Sequence, residues 1–181
     1  TLSSSSAASD VYKRQGNGLG KAYALDLGAR GAKVVVNDLG GAVDGSGSGS
    51  TPADEVVNEI IANGGEAVAN YDSVATREGG ESIIQTAIDN FGTVDAVVNN
   101  AGILRDKSFA NMSEEELSLI IDVHLKGTFY VSQPAFKVMK ENAYGRIVNV
   151  ASPSGLFGNF GQSNYGLSLI HISEPTRLRR I

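Results

Sequence analysis

Apolar positions recur along the middle of the chain in two alternating rhythms. In KAYALDLGARG (residues 21–31), Tyr23, Leu25 and Leu27 run along a helix that Gly31 can stop. AKVVVND (32–38) is a short, β-branched apolar run without alternation, which predicts a buried strand. Residues 40–50 are rich in Gly and Ser and read as a loop. Pro52 then opens a helix in its first turn, with Val56, Val57, Ile60 and Ile61 as its apolar face. The unit repeats, with a strand over 67–71 and a helix carrying Ile83, Ile84, Ala87, Ile88 and Phe91. DAVVNNAG is a further strand, and Ser113 with Glu116 forms a capping box that opens a long helix. Pro134 is expected to kink or break that helix after Ser132. GRIVNVAS is the last strand. Strand and helix alternate throughout, which predicts an α/β fold: a doubly wound parallel sheet with helices on both faces.

The two ends do not continue this pattern. Residues 1–15 are rich in Ser and Ala with no apolar period, and residues 167–181 finish on Arg-Leu-Arg-Arg-Ile. Residues 5–9 and 10–15 match the translation of a sequencing adapter and its transposon end. Residues 167–177 match the reverse strand. Residues 1–15 and 167–181 are therefore expected to be adapter-derived, leaving residues 16–166 as a sheet truncated at both ends. The strand that should precede the glycine turn then has adapter sequence in its place.

Composition narrows the function. The chain has 181 residues, 41% of them hydrophobic, and no run long enough to span a membrane. It has no cysteine, which excludes disulfides and thiolate metal sites; no metal is expected. The formal charge is −5 with no basic stripe, which argues against nucleic acid as a partner.

Four segments carry candidate chemistry. Gly16, Gly18, Leu19 and Gly20 lead into a helix, where glycine lets a phosphate approach free N–H groups and the positive dipole end. Asp38 ends the next strand, where a carboxylate accepts hydrogen bonds from a ribose 2′-OH and repels a 2′-phosphate. Asn99, Asn100, Ala101 and Gly102 follow a strand with small residues against which a ring or ribose can pack. Ser152 follows the last strand, and Tyr165 comes shortly after it. A Tyr acts as general acid or base only if neighbours lower its pKa from about 10. Each segment alone has an ordinary reading as a turn or core residue.

In this order, the segments resemble the short-chain dehydrogenase/reductase family. Gly18 and Gly20 match the end of its TGxxxGxG, and Asp38 matches its NAD-selecting acid. Asp72, Ser73 and Val74 match its adenine-contacting turn. Asn100, Ala101 and Gly102 fall in its NNAG, while Ser152 and Tyr165 match its catalytic Ser and the Tyr of YxxxK. The resemblance implies a Rossmann-type domain over residues 16–166 that binds NAD, with Ser152 also touching substrate. VVVNDLGG, VANYDSV, NNAGILRDKSFA, VHLKGTF and GNFGQSNY are similar to the (3R)-hydroxyacyl-CoA dehydrogenase group within the multifunctional enzymes of type 2 and their bacterial relatives. That implies oxidation of a (3R)-3-hydroxyacyl-CoA to the 3-oxoacyl-CoA in fatty-acid β-oxidation. It also implies a dimer or tetramer in the intact protein, and a cytoplasmic (bacterial) or peroxisomal (eukaryotic) location. The alternatives are a 3-oxoacyl-carrier-protein reductase, a steroid dehydrogenase, or a dinucleotide-binding module without catalysis. Three positions depart from the pattern. The first Gly of TGxxxGxG falls at Arg14 and the Lys of YxxxK at Leu169, so the chain as written is expected to be nearly inactive. His124 stands where many members have Asn; it is either a third catalytic residue in the proton relay or a polar bracket between helix and strand.

Overall fold

A computed structural model describes residues 7–8, 18–40 and 51–173. Five parallel strands form one sheet in the order β3-β2-β1-β4-β5. They are β1 (Ala7–Ala8), β2 (Lys33–Asn37), β3 (Glu66–Asn70), β4 (Ala96–Asn99) and β5 (Arg146–Asn149). The connecting helices are α1 (Leu19–Ala29), α2 (Thr51–Ala62), α3 (Arg77–Phe91), α4 (Glu114–Ile121), α5 (Gly127–Glu141), α6 (Pro153–Phe157) and α7 (Ser163–Ser173). The order reverses between β1 and β4, the switch point at which doubly wound sheets bind ligands outside their carboxyl ends.

The core follows from the pleat of β2. Val34 and Val36 face one side with α1 and α2, where Ala24, Ala53, Val56, Val57 and Ile60 are buried. Val35 faces the other side and joins Ile83, Ile84, Ala87, Val97, Val131 and Met139 from α3, β4 and α5. The continuous valine run is thus buried on both faces, as its lack of alternation predicts. β5 closes the described sheet at one edge, and all four of its residues are exposed.

Several expectations are corrected. The Ser/Ala-rich start carries no strand pattern, yet Ala7 and Ala8 fill the central slot, pairing with Val36 and Asn37 on one side and Val98 on the other. Neighbouring strands offer unpaired N–H and C=O groups there, and any extended backbone satisfies them. In α1 the buried stripe is Gly20, Ala24 and Gly28; Leu25 and Leu27 are only half-buried, and Tyr23 is exposed. Ile61 likewise lies outside the apolar face of α2. β3 ends at Asn70 rather than Tyr71, because the Asn70 side chain turns back to cap the following loop. Pro134 lies inside α5, and the long helix departs from α geometry earlier, in a π-helical turn at Asp122–Lys126. The 40–50 loop reading falls, apart from Gly40, outside the described residues, as do Arg14 and Gly16. The helix that begins at Ser163 continues through residue 166 to Ser173, burying Ser168 and Leu169. Among the described residues, no helix is long and apolar enough to cross a membrane.

Candidate active site

The carboxyl ends of β2, β3 and β4 bring most of the singled-out residues to one edge of the sheet. Gly18 caps α1 without a side chain, so the helix start is lined by main chain; Gly20 behind it is buried. Asp38 immediately follows β2 and is half-buried. One of its carboxylate oxygens accepts the Gly40 N–H at 2.7 Å, a turn-capping bond that leaves the second oxygen for a hydroxyl partner. Asp72 follows β3, and its carboxylate accepts from Asn70 and Ser82 at 2.9 and 2.6 Å. Val74, two residues on, packs against Gly127. Helix start, acid, turn and the 99–102 loop together suit a dinucleotide laid across the switch point.

The 99–102 loop leads to His124. Asn99 is fixed by Ser132 and Asn149, each at 2.8 Å. Asn100 donates its N–H to Val98 at 3.1 Å, and Ala101 lines a small cavity with Asn37, Val74 and Thr128. Gly102 lies against the His124 ring, where a Cβ would come within 3.2 Å of Cε1. His124 is buried in the π-helical turn. Its Nε2 sits 2.9 Å from the Ile103 N–H and 3.1 Å from the Ile103 carbonyl. An amide N–H only donates, so when that bond forms Nε2 is the acceptor and the ring proton resides on Nδ1. The Tyr165 ring meets the His124 ring edge-on, with centroids 5.2 Å apart. Sequence spacing alone does not bring these two aromatic rings together.

Ser152 and Tyr165 arrive on neighbouring helices. Ser152 caps α6, its Oγ accepting the Ser154 N–H at 3.3 Å. α6 packs tightly on α7. A Cβ on Gly166 would meet the Ser154 carbonyl at 2.8 Å, and one on Gly155 would meet the Leu169 Cβ at 3.0 Å. Leu169, at the position of the YxxxK lysine, is 4% exposed and fills that contact with hydrocarbon.

Sequence reasoning passes over the residues that aim Tyr165. Asn164 is 1% exposed, and its Oδ1 accepts the Tyr165 N–H at 2.8 Å. Its Nδ2 donates to the carbonyls of Arg105 (3.2 Å) and Glu116 (3.4 Å). Gln162 donates to Asp106 at 2.9 Å, and the Lys107 N–H donates to Gly161 at 2.7 Å. Glu116 closes the circle: it completes the capping box with Ser113 and accepts from Lys107 Nζ at 2.9 Å. These bonds hold its carboxyl below the usual carboxylate range, the Ser113 N–H contributing most, then Lys107. Only the capping box had a sequence signal.

The family model for short chain dehydrogenase matches residues 15–170. The chain belongs to the short-chain dehydrogenase family. Among curated relatives of this dehydrogenase, a short-chain type dehydrogenase/reductase of Mycobacterium tuberculosis is 59% identical over 156 residues, covering 86% of the chain and 54% of the relative. The peroxisomal hydratase-dehydrogenase-epimerase of Saccharomyces cerevisiae is 57% identical over 167 residues, covering 91% of the chain and 18% of the relative. The crystal structure of a short chain dehydrogenase from Mycobacterium avium superposes with a TM-score of 0.78 at 46% identity, covering 87% of the chain and 56% of that structure. The chain thus spans about half the length of the two mycobacterial relatives and under a fifth of the yeast protein. The parallel sheet and the sequence similarity agree on an oxidoreductase family whose members use a nicotinamide dinucleotide.

Proposed function

We propose that the chain carries the site of an NAD-dependent dehydrogenase that oxidises a (3R)-3-hydroxyacyl-CoA to the 3-oxoacyl-CoA in fatty-acid β-oxidation. The observation that carries this reading is the edge-on approach of Tyr165 to His124, 5.2 Å between centroids, beside the 99–102 loop. Tyr165 takes the proton of the substrate hydroxyl, and Ser152 holds the same oxygen by hydrogen bonding. NAD, when bound, supplies the hydride acceptor. The start of α1 at Gly18, Leu19 and Gly20 would hold its pyrophosphate, and Asp38 its adenosine ribose. Asp72, Ser73 and Val74 would hold the adenine, and Asn100, Ala101, Gly102 and Tyr165 the nicotinamide half. His124 holds the Ile103 main chain through Nε2 while its ring meets Tyr165 edge-on. Asp38 favours NAD and argues against a carrier-protein reductase, a type that usually prefers NADP. Leu169 is hydrocarbon and offers Tyr165 no positive charge, which a tyrosine acting as a base at neutral pH needs close by.

The test uses the chain with Leu169→Lys. Expected is turnover of a (3R)-3-hydroxyacyl-CoA with NAD that the unaltered chain lacks, and its loss on adding Tyr165→Phe. Equal rates for the unaltered chain and Leu169→Lys would overturn the role given to position 169. Turnover that survives Tyr165→Phe would overturn the site.

A further inference from the structure

We propose that Asn37 is a positioning residue for the adenosine half of the dinucleotide. Its buried amide ties the end of β2, which carries Asp38, to the 72–74 turn, so that the two segments form one rigid piece. The inference rests on the dinucleotide reading above.

Every other buried position of β2 is valine; only the last, at the ligand edge, is polar. Asn37 is 3% exposed. Its Nδ2 donates to Asn70 Oδ1 at 2.8 Å and to the Asp72 carbonyl at 2.9 Å. Asn70, its register partner on β3, is 6% exposed. Asn70 Oδ1 also accepts the Asp72 N–H at 3.0 Å, and its Nδ2 reaches the Asp72 carboxylate at 2.9 Å. The Asp38 N–H donates to the Asn70 carbonyl at 3.0 Å. The amide N–H, carbonyl and carboxylate of Asp72 are therefore all fixed by the two asparagines. The backbone of Asp38 hangs from the second of them. A fourth valine would finish the strand without desolvating an amide, and a buried polar group is costly unless paired. Here Asn37 spends its donor on β3 and the 72–74 turn, and Asn70 divides its own between the Asp72 carboxylate and the Thr86 hydroxyl of α3, at 3.0 Å.

The experiment titrates AMP and NAD into the unaltered chain and into Asn37→Leu, Asn37→Asp and Ser82→Ala by calorimetry, with circular dichroism and thermal melts reporting the folded fraction. Leu keeps the volume and removes both donors, and Asp keeps the shape but turns acceptors toward Asn70 and Asp72. Both are expected to weaken AMP and NAD by a similar factor, about tenfold, as two positioning bonds are lost. Ser82→Ala removes one bond to the Asp72 carboxylate from outside the core, and is expected to weaken AMP by roughly threefold. A purely structural role predicts a lower melting temperature with unchanged AMP affinity in the folded fraction; that result overturns the proposal, as does unchanged affinity in Ser82→Ala should the Asn37 variants not fold. An unaltered chain that binds neither AMP nor NAD overturns the dinucleotide reading itself, and the role of Asn37 with it.

Discussion

Gly80 lies directly against the main chain of Tyr130: a Cβ placed on Gly80 would sit 2.5 Å from both the carbonyl carbon and oxygen of Tyr130. The α-helical donor to that carbonyl would be the N–H of residue 134, and Pro134 has none. α3 therefore packs a bare Cα against the one turn of α5 that the proline leaves without its usual hydrogen bond. Arg77, on the same helix, adds its guanidinium 5.2 Å from the Tyr130 ring.

Gly80→Ala is expected to destabilise the chain by roughly 1–3 kcal/mol, because the backbone contact cannot yield as a side chain would. For a domain of this size that lowers the melting temperature by about 2–4 °C per kcal/mol. A calorimetric melt reads it, and an unchanged Tm would show that α3 and α5 lie further apart.

Glu116 predicts a pH dependence. In the fold its carboxyl lies below the ordinary glutamate range, held down by the Ser113 N–H and then Lys107. In the window between the folded and unfolded values the unfolded chain binds more protons, so stability rises with pH. The contribution is full above the unfolded value and is lost as pH falls through the folded one. Melts from pH 6 down to about pH 3 should therefore show a smaller acid-induced drop in Glu116→Gln than in the unaltered chain. Parallel curves for the two would refute this.

Asn164→Ala leaves the Tyr165 N–H and the carbonyls of Arg105 and Glu116 without their common partner in a buried place. A loss of about 1–3 kcal/mol is expected. In the Leu169→Lys background kcat should fall more than KM rises, since the residue aims Tyr165 rather than the substrate. An effect on KM alone would place Asn164 outside the proton-transfer geometry.

Asp38→Ala should raise the affinity for NADP relative to NAD by about tenfold, because the carboxylate that repels a 2′-phosphate is gone. The ratio of the two dissociation constants measures it directly, without need of turnover. An unaltered ratio would reassign Asp38 to the turn it caps through Gly40.

The repeating units were legible in the chain because their signals are local. Three consecutive β-branched valines in a short run favour a strand buried on both faces, and Ser113 with Glu116 announces a helix start whatever surrounds it. The placement of Asp38, Asp72, Asn99, Ser152 and Tyr165 follows the same local signals, since each sits at or just beyond the end of a strand or within a helix that follows one.

Other features depend on what arrives from far along the chain. Pro134 stays inside a continuous α5, and the carbonyl it leaves without a helical donor is packed by Gly80 of α3. Whether Ser/Ala-rich residues form a strand depends on the open slot between β2 and β4. Asn37, Asn70 and Asn164 look like ordinary polar residues in sequence, and His124 divides evenly between relay and bracket. Burial turns the three asparagines into fixed clamps, and the Ile103 main chain with the Tyr165 ring gives the imidazole its place. Local pattern determines which segments are helix or strand, because backbone propensity and apolar period act within a few residues. Tertiary contact decides which polar groups lose their water and must find partners instead, and those groups hold the site together.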